Sequence, residues 1–179
     1  MKNESKASIK QSVVGFRLPR YHEIPNVGLY LEQTTKYIEE YLEPFHDINI
    51  TGSMISNYVK KGLIANPVRK QYYRDQIAYL LFMSFAKSVL SLDNIGMLME
   101  MQRKSYGNQR AYDYFCDEFE NILQFVFNLK DVVDNVGSDM TDEKLMLRNT
   151  IITICHKLYL DQCFVALSKE LEEGHPEGR

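Results

Sequence analysis

From Thr141 to about Glu172 the apolar residues fall into two rows at helical spacing. Leu147, Ile151, Ile154 and Leu158 form one row, and Leu160, Phe164, Leu167 and Leu171 form the other. A helix with one apolar stripe can lie on a surface, but a helix with two must be covered from more than one side. This segment therefore demands a helical surrounding, and the rest of the chain is built to supply it. Only 9 Gly and 5 Pro punctuate 179 residues, which suits long helices better than many short strands. A hydrophobic share of 45% argues for a folded core rather than disorder.

The same periodicity places further helices. Between Gly28 and Leu42, residues Leu29, Tyr30, Tyr37, Ile38, Tyr41 and Leu42 make one amphipathic face, closed by Pro44. Thr51 is an N-cap for a short helix from Gly52 to Lys61, whose Met54, Ile55 and Tyr58 share a face. Gly62 fits the left-handed residue after it, with Leu63 packing back on Tyr58. Ala65 to Tyr72 is a basic connection of the length of a tight wing or hairpin. Asp75 to Leu90 is apolar around most of its circumference. Ser91 caps a helix to about Met101, with Asp93 in its first turn. A stripe from Tyr112 through Phe115, Cys116, Phe119, Ile122, Leu123 and Val126 marks a helix over Gln109 to Leu129, and Val136-Gly137-Ser138 reads as the loop after it.

The net charge of −3 does not by itself suggest nucleic acid, but its distribution is uneven. Thr51 to Lys104 holds eight basic against three acidic residues, Ser105 to Arg179 seven against fourteen, and the first twenty residues five against one. Such asymmetry fits a basic contact face on an acidic body, or an ordinary dipolar surface. No uninterrupted apolar run has the length needed to cross a bilayer, and Met1 to Gln11 lacks the apolar core of a signal peptide, so a cytoplasmic protein without a membrane role is expected. Cys116, Cys155 and Cys163 lie in apolar helical stretches and read as reduced core residues.

Other constellations are weak. His22, His46, His156 and His175 are scattered, and Cys155 and His156 are adjacent, so on a helix they diverge by about 100°. Adjacent acid pairs such as Glu39-Glu40 and Glu172-Glu173 diverge in the same way and do not form an acid/base pair. With no phosphate-binding glycine loop and no nucleophile elbow, no enzyme, metal or cofactor is expected. Tyr112, Phe115 and Phe119 read as core, with a ligand pocket as the other reading.

The informative stretch is Ile50 to Glu100. A helix that buries Met54, Ile55 and Tyr58 must turn Ser53, Ser56, Asn57 and Lys60 outward, and Ser53, Asn57 and Lys60 lie on one ridge at i, i+4 and i+7. Serine and asparagine reach base edges, while lysine neutralises phosphate. Ser53, Ser56 and Asn57 are therefore the expected base contacts. Lys60, Lys61, Arg69, Lys70 and Arg74, with the hydroxyls of Tyr72 and Tyr73, are expected against the DNA backbone.

The run I-T-G-S-M-I-S-N-Y-V-K-K-G-L-I, from Ile50 to Ile64, resembles the second helix of MerR-type regulators through Ile55, Tyr58, Gly62 and Leu63. Lys70-Gln71-Tyr72 resembles the end of that family's wing, Ile77 the apolar entry to the next helix, and Ser91 to Ile95 the helix start after that. Ser56 and Asn57 depart from the arginine and tyrosine usual there, the wing lacks its glycine, and the metal-binding cysteines are absent, so metal sensing is not implied. L-P-R-Y-H-E-I-P, from Leu18 to Pro25, followed by this run, is similar to an uncharacterised bacterial family called domain of unknown function 1836, over roughly Leu18 to Met101. These resemblances imply a winged MerR-like helix-turn-helix.

The expectation is thus an all-α protein: a flexible basic arm over 1–17, a DNA-binding module over 18–101, a helical hairpin over 102–172 that completes the core or dimerises, and a tail over 173–179. It would act on double-stranded DNA as a sequence-specific transcriptional regulator, with any effector unassigned. The alternatives are a protein–protein interaction module or a small-molecule sensor on the same fold.

Overall fold

The computed structural model describes residues 1–137 and 141–174. Ser138 and the tail beyond Gly174, His175 included, lie outside the described residues. The helices are α1 (Asn3–Gln11), α2 (Leu31–Leu42), α3 (Gly52–Lys60), α4 (Arg74–Ala86), α5 (Leu92–Ser105), α6 (Asn108–Val126) and α7 (Asp142–Gly174). Two short strands, β1 (Leu29–Tyr30) and β2 (Gln71–Tyr72), pair antiparallel with Leu29 opposite Tyr72 and Tyr30 opposite Gln71. The chain is mostly helical, as the periodicity predicts, except that Leu29 and Tyr30 belong to a strand and not to the first turn of α2.

Local chemistry sets the helix ends. Thr51 Oγ1 accepts from Met54 N at 3.2 Å, and Ser91 Oγ accepts from Asn94 N at 3.2 Å, so both predicted caps are made. Gly62 adopts φ +75°, and Leu63 N donates back to Tyr58 O at 3.0 Å, which terminates α3. Gln33 and Gln76 reach back to the amides of Tyr30 and Tyr73, at 2.9 and 2.8 Å, and so anchor the starts of α2 and α4.

Helix α4 is the axis of the core. From Gln76 to Ala86 every residue but Tyr79 is buried. It packs against α2, α6 and α7. A chain of rings crosses it: Phe16 to Phe45 at 5.0 Å, Phe45 to Phe85 at 5.7 Å, Phe85 to Phe119 at 4.7 Å and Phe119 to Phe115 at 5.7 Å. Each such pair adds about 0.5–1.5 kcal/mol beyond the area it buries. These contacts run from the N-terminal segment through to α6, so the predicted module and hairpin share one core.

The predicted flexible arm is instead structured. Residues 3–11 form α1, with Ile9 and Val13 buried, and α1 lies against α7. Lys2 N donates to Glu170 at 2.7 Å and Lys2 Nζ pairs with Glu173 at 3.0 Å. Further on, the Arg20 guanidinium grips the Glu120 carboxylate at 2.6 and 2.8 Å and reaches Asp117 at 2.9 Å. Within α1 only Ile9 is buried, and polar contacts from Lys2 and Ser5 to Glu170 and Glu173 do the rest of the anchoring, so no helical apolar period marks it in the sequence.

The two rows of α7 have different fates. Ile151, Ile154, Cys155 and Leu158 are buried. In the second row Leu167 is half-buried, while Leu160, Phe164 and Leu171 are 52%, 64% and 69% exposed, so most of that row is uncovered among the described residues. By length and composition α7 alone among the described residues could cross a bilayer, at a mean hydropathy of 1.2, which counting uninterrupted apolar runs overlooks. Its first row nevertheless packs inside the fold, although only 28% of its most apolar window is buried.

Candidate nucleic-acid interface

Helix α3 is held by its neighbours at both ends. At its start, a Cβ on Gly52 would lie 3.3 Å from Leu31 Cδ2, so α3 sits close on the first turn of α2. Lys87, after α4, donates to the carbonyl and side-chain oxygens of Asn49, and burial pushes its ammonium pKa down. At the other end, Arg103 donates to Leu63 O at 3.2 Å, and the Gln76 amide donates to Ala65 O at 2.9 Å. With Ile55 and Tyr58 buried, the opposite face is fixed outward.

That face carries most of the residues predicted from the sequence. Ser53, Ser56, Asn57, Lys60 and Lys61 are all exposed. The Ser56 hydroxyl donates to Gly52 O at 2.8 Å, and Ser53 and Thr51 share a hydrogen bond of 2.9 Å. Both serines keep acceptor capacity toward solvent. Lys60 and Lys61 form no ion pair among the described residues.

The connection after α3 ends in a hairpin. Val68 and Gln71 exchange backbone hydrogen bonds at 3.0 and 2.9 Å. The two residues between them, Arg69 and Lys70, have φ of +51° and +65°. Two successive positive φ angles match a type I′ turn, which Asn-Gly or Asp-Gly normally occupies. Placing arginine and lysine there costs on the order of 1–2 kcal/mol per residue. Both cations are exposed and unpaired among the described residues. The strain therefore holds two free charges at the tip of a narrow hairpin.

Two predicted contacts do not belong to this surface. Tyr72 is buried at 4% exposure, because its strand pairs with β1 and turns the ring inward. Arg74 is engaged within the fold: Nε donates to Ile24 O at 2.8 Å, Nη2 to His22 O at 3.2 Å, and the guanidinium stacks 5.5 Å above the Tyr21 ring. It fastens the turn Tyr21–Glu23 to α4. Composition shows that Arg74 is basic, but only coordinates reveal where its hydrogen bonds go. Tyr73 does remain exposed.

The other candidates resolve plainly. Cys155 is buried and His156 exposed, so they diverge. Among the described residues no three His, Cys, Asp or Glu side chains gather as a metal site. All three cysteines are free, and burial pushes the Cys116 thiol up to about 12, which makes it unreactive at neutral pH. Tyr112 and Phe115 line a cavity of about 900 Å³ around the start of α6, while Phe119 lies in the core.

Fold and surface together define a predominantly helical protein that presents a polar helix face and a strained basic turn to solvent. Over residues 19–115, more than half of the chain, the sequence matches the family described as Domain of unknown function (DUF1836), and the chain belongs to that family. No curated protein and no solved structure matches the chain.

Proposed function

We propose that this chain is a cytoplasmic, non-enzymatic transcriptional regulator that binds double-stranded DNA, with α2 and α3 as a MerR-like helix-turn-helix and the 68–71 hairpin as its wing. The observation that carries this reading is the outward ridge of α3, where Ser53, Ser56, Asn57 and Lys60 stand exposed opposite a face that buries Ile55 and Tyr58. A helix set in the major groove reads base edges with short polar side chains near its start and neutralises phosphate with cations near its end. Ser53, Ser56 and Asn57 take the first role, and Lys60 and Lys61 the second. Arg69 and Lys70 meet the neighbouring backbone. The uncovered row of α7 supports a homodimer, and two copies would present two recognition helices to a two-fold site.

Salt dependence tests this reading. The logarithm of the association constant falls against the logarithm of salt concentration by about 0.9 per phosphate contact. Lys60→Ala and Lys70→Ala should each flatten the slope by about that amount. Slopes equal to the wild type's would remove both assignments, and failure to shift any duplex from the promoter region of the chain's own gene would remove the reading.

A further inference from the structure

The cavity around the start of α6 is walled by aromatic rings, and its lining holds four carboxylates, Asp75, Asp113, Asp117 and Glu143, against two cations, Arg110 and Lys144. Both cations already sit against rings: Lys144 lies 5.1 Å from the centroid of the Tyr114 ring and Arg110 lies 5.4 Å from that of Tyr106. At the end beside the turn Tyr21–Glu23 stand two of the carboxylates, Asp113 and Asp75. There Asp113 Oδ1 accepts from Tyr21 N at 2.8 Å, and Asp75 accepts from the Tyr21 hydroxyl. Neither carboxylate is ion-paired, and the second oxygen of each has no hydrogen-bond partner among the described residues. Phe82, Phe115 and Tyr79 complete this end.

The rings here already hold cations. Arg74 stacks on Tyr21 at 5.5 Å, and Arg103 on Tyr79 at 4.8 Å. A tyrosine face attracts positive charge by about 0.5–2 kcal/mol, more as water is excluded. The Tyr79 hydroxyl is held by Gln102 Oε1 at 2.8 Å, which fixes the ring as a wall. Flat apolar walls with more carboxylates than cations, two of them outside any ion pair among the described residues, disfavour an anion and leave a neutral ring without a charge partner.

We propose that the end of this cavity beside Tyr21 binds a flat organic cation, stacked between aromatic rings and neutralised by Asp75 and Asp113. The site is separate from the α3 surface, and the proposal does not depend on DNA binding.

The test is isothermal titration of the full chain, without nucleic acid, with three probes of one size: 1-methylquinolinium, 2-naphthol and 2-naphthoate. The cation should bind about tenfold more tightly than either of the others, the ratio expected from a cation–π and carboxylate difference of roughly 1.4 kcal/mol. Asp113→Asn, which retains an acceptor for Tyr21 N, and Asp75→Asn should each weaken the cation severalfold, with melting temperatures confirming that both variants fold. Equal binding of all three probes, preference for the anion, or no binding would overturn the proposal. So would cation binding that both variants leave unchanged. Because no DNA is present, none of these results bears on the α3 reading, and a failed DNA experiment leaves this one standing.

Discussion

Single residues here show how burial outweighs composition. Glu118 is fully buried, with Arg148 Nε at 3.2 Å and no well-formed hydrogen bond to its carboxylate. Desolvation raises its pKa above the ordinary carboxylate value, the opposing pull of Arg148 being smaller. The folded state thus holds this proton more tightly than the unfolded chain does. Its contribution to stability is most favourable below the unfolded pKa, declines as pH rises through the folded value, and levels off above it. Glu118→Gln keeps the shape and removes the charge, and Arg148, about a third exposed, stays solvated. The variant should be more stable than the wild type at pH 7, and the difference should shrink toward pH 4. Urea unfolding at a series of pH values checks this. A variant less stable than the wild type at pH 7 would mean that the ion pair outweighs desolvation.

Elements were legible in the sequence where a side chain settles its own backbone. Thr51, Ser91 and Gly62 announce helix ends through chemistry confined to a few neighbours, and all three act as read. Asp142 and Glu143 mark the start of α7 in the same local way. The lost information is non-local. Helix α1 depends on α7, some 160 positions away, and β1 exists because β2 lies beside it. The burial of Tyr72 and the internal hydrogen bonds of Arg74 escape the sequence for this reason, since their partners Leu29, Ile24 and His22 are distant along the chain. The candidate site was legible on α3 because one buried face dictates its opposite. The same logic makes a prediction for α7. Leu160, Phe164 and Leu171 lie at i, i+4 and i+11, on one face that solvent covers poorly. Phe164→Glu should convert a dimer to a monomer in light scattering while leaving the circular dichroism spectrum intact. A monomeric wild type at micromolar concentration would remove the dimer.

At the scale of the whole molecule, the charge asymmetry of the sequence resolves into two parts. Much of the basic excess of the first twenty residues is consumed internally, as Lys2 pairs with Glu173 and Arg20 with Glu120 and Asp117. The cations of α3 and the hairpin are not consumed, which leaves the positive surface concentrated there. The core also sets a boundary that the family match does not. Residues 19–115 end within α6, before Phe119, Ile122 and Leu123, all buried. Cutting there strips α4 of α7 and of most of α6, and breaks the ring chain at Phe85–Phe119. A fragment of residues 19–115 should therefore lack a cooperative thermal transition, whereas the full chain should have one. Scanning calorimetry distinguishes the two, and a sharp transition in the fragment would show that the module folds alone.

The turn at Arg69 and Lys70 has a consequence for evolution in the laboratory. Asn-Gly would relieve both backbone angles while erasing both charges. A screen that rewards heat tolerance alone would rewrite these two positions early, and its winners would be robust proteins stripped of the two charges at the hairpin tip. Selecting for retention of those charges would hold the uncomfortable pair in place.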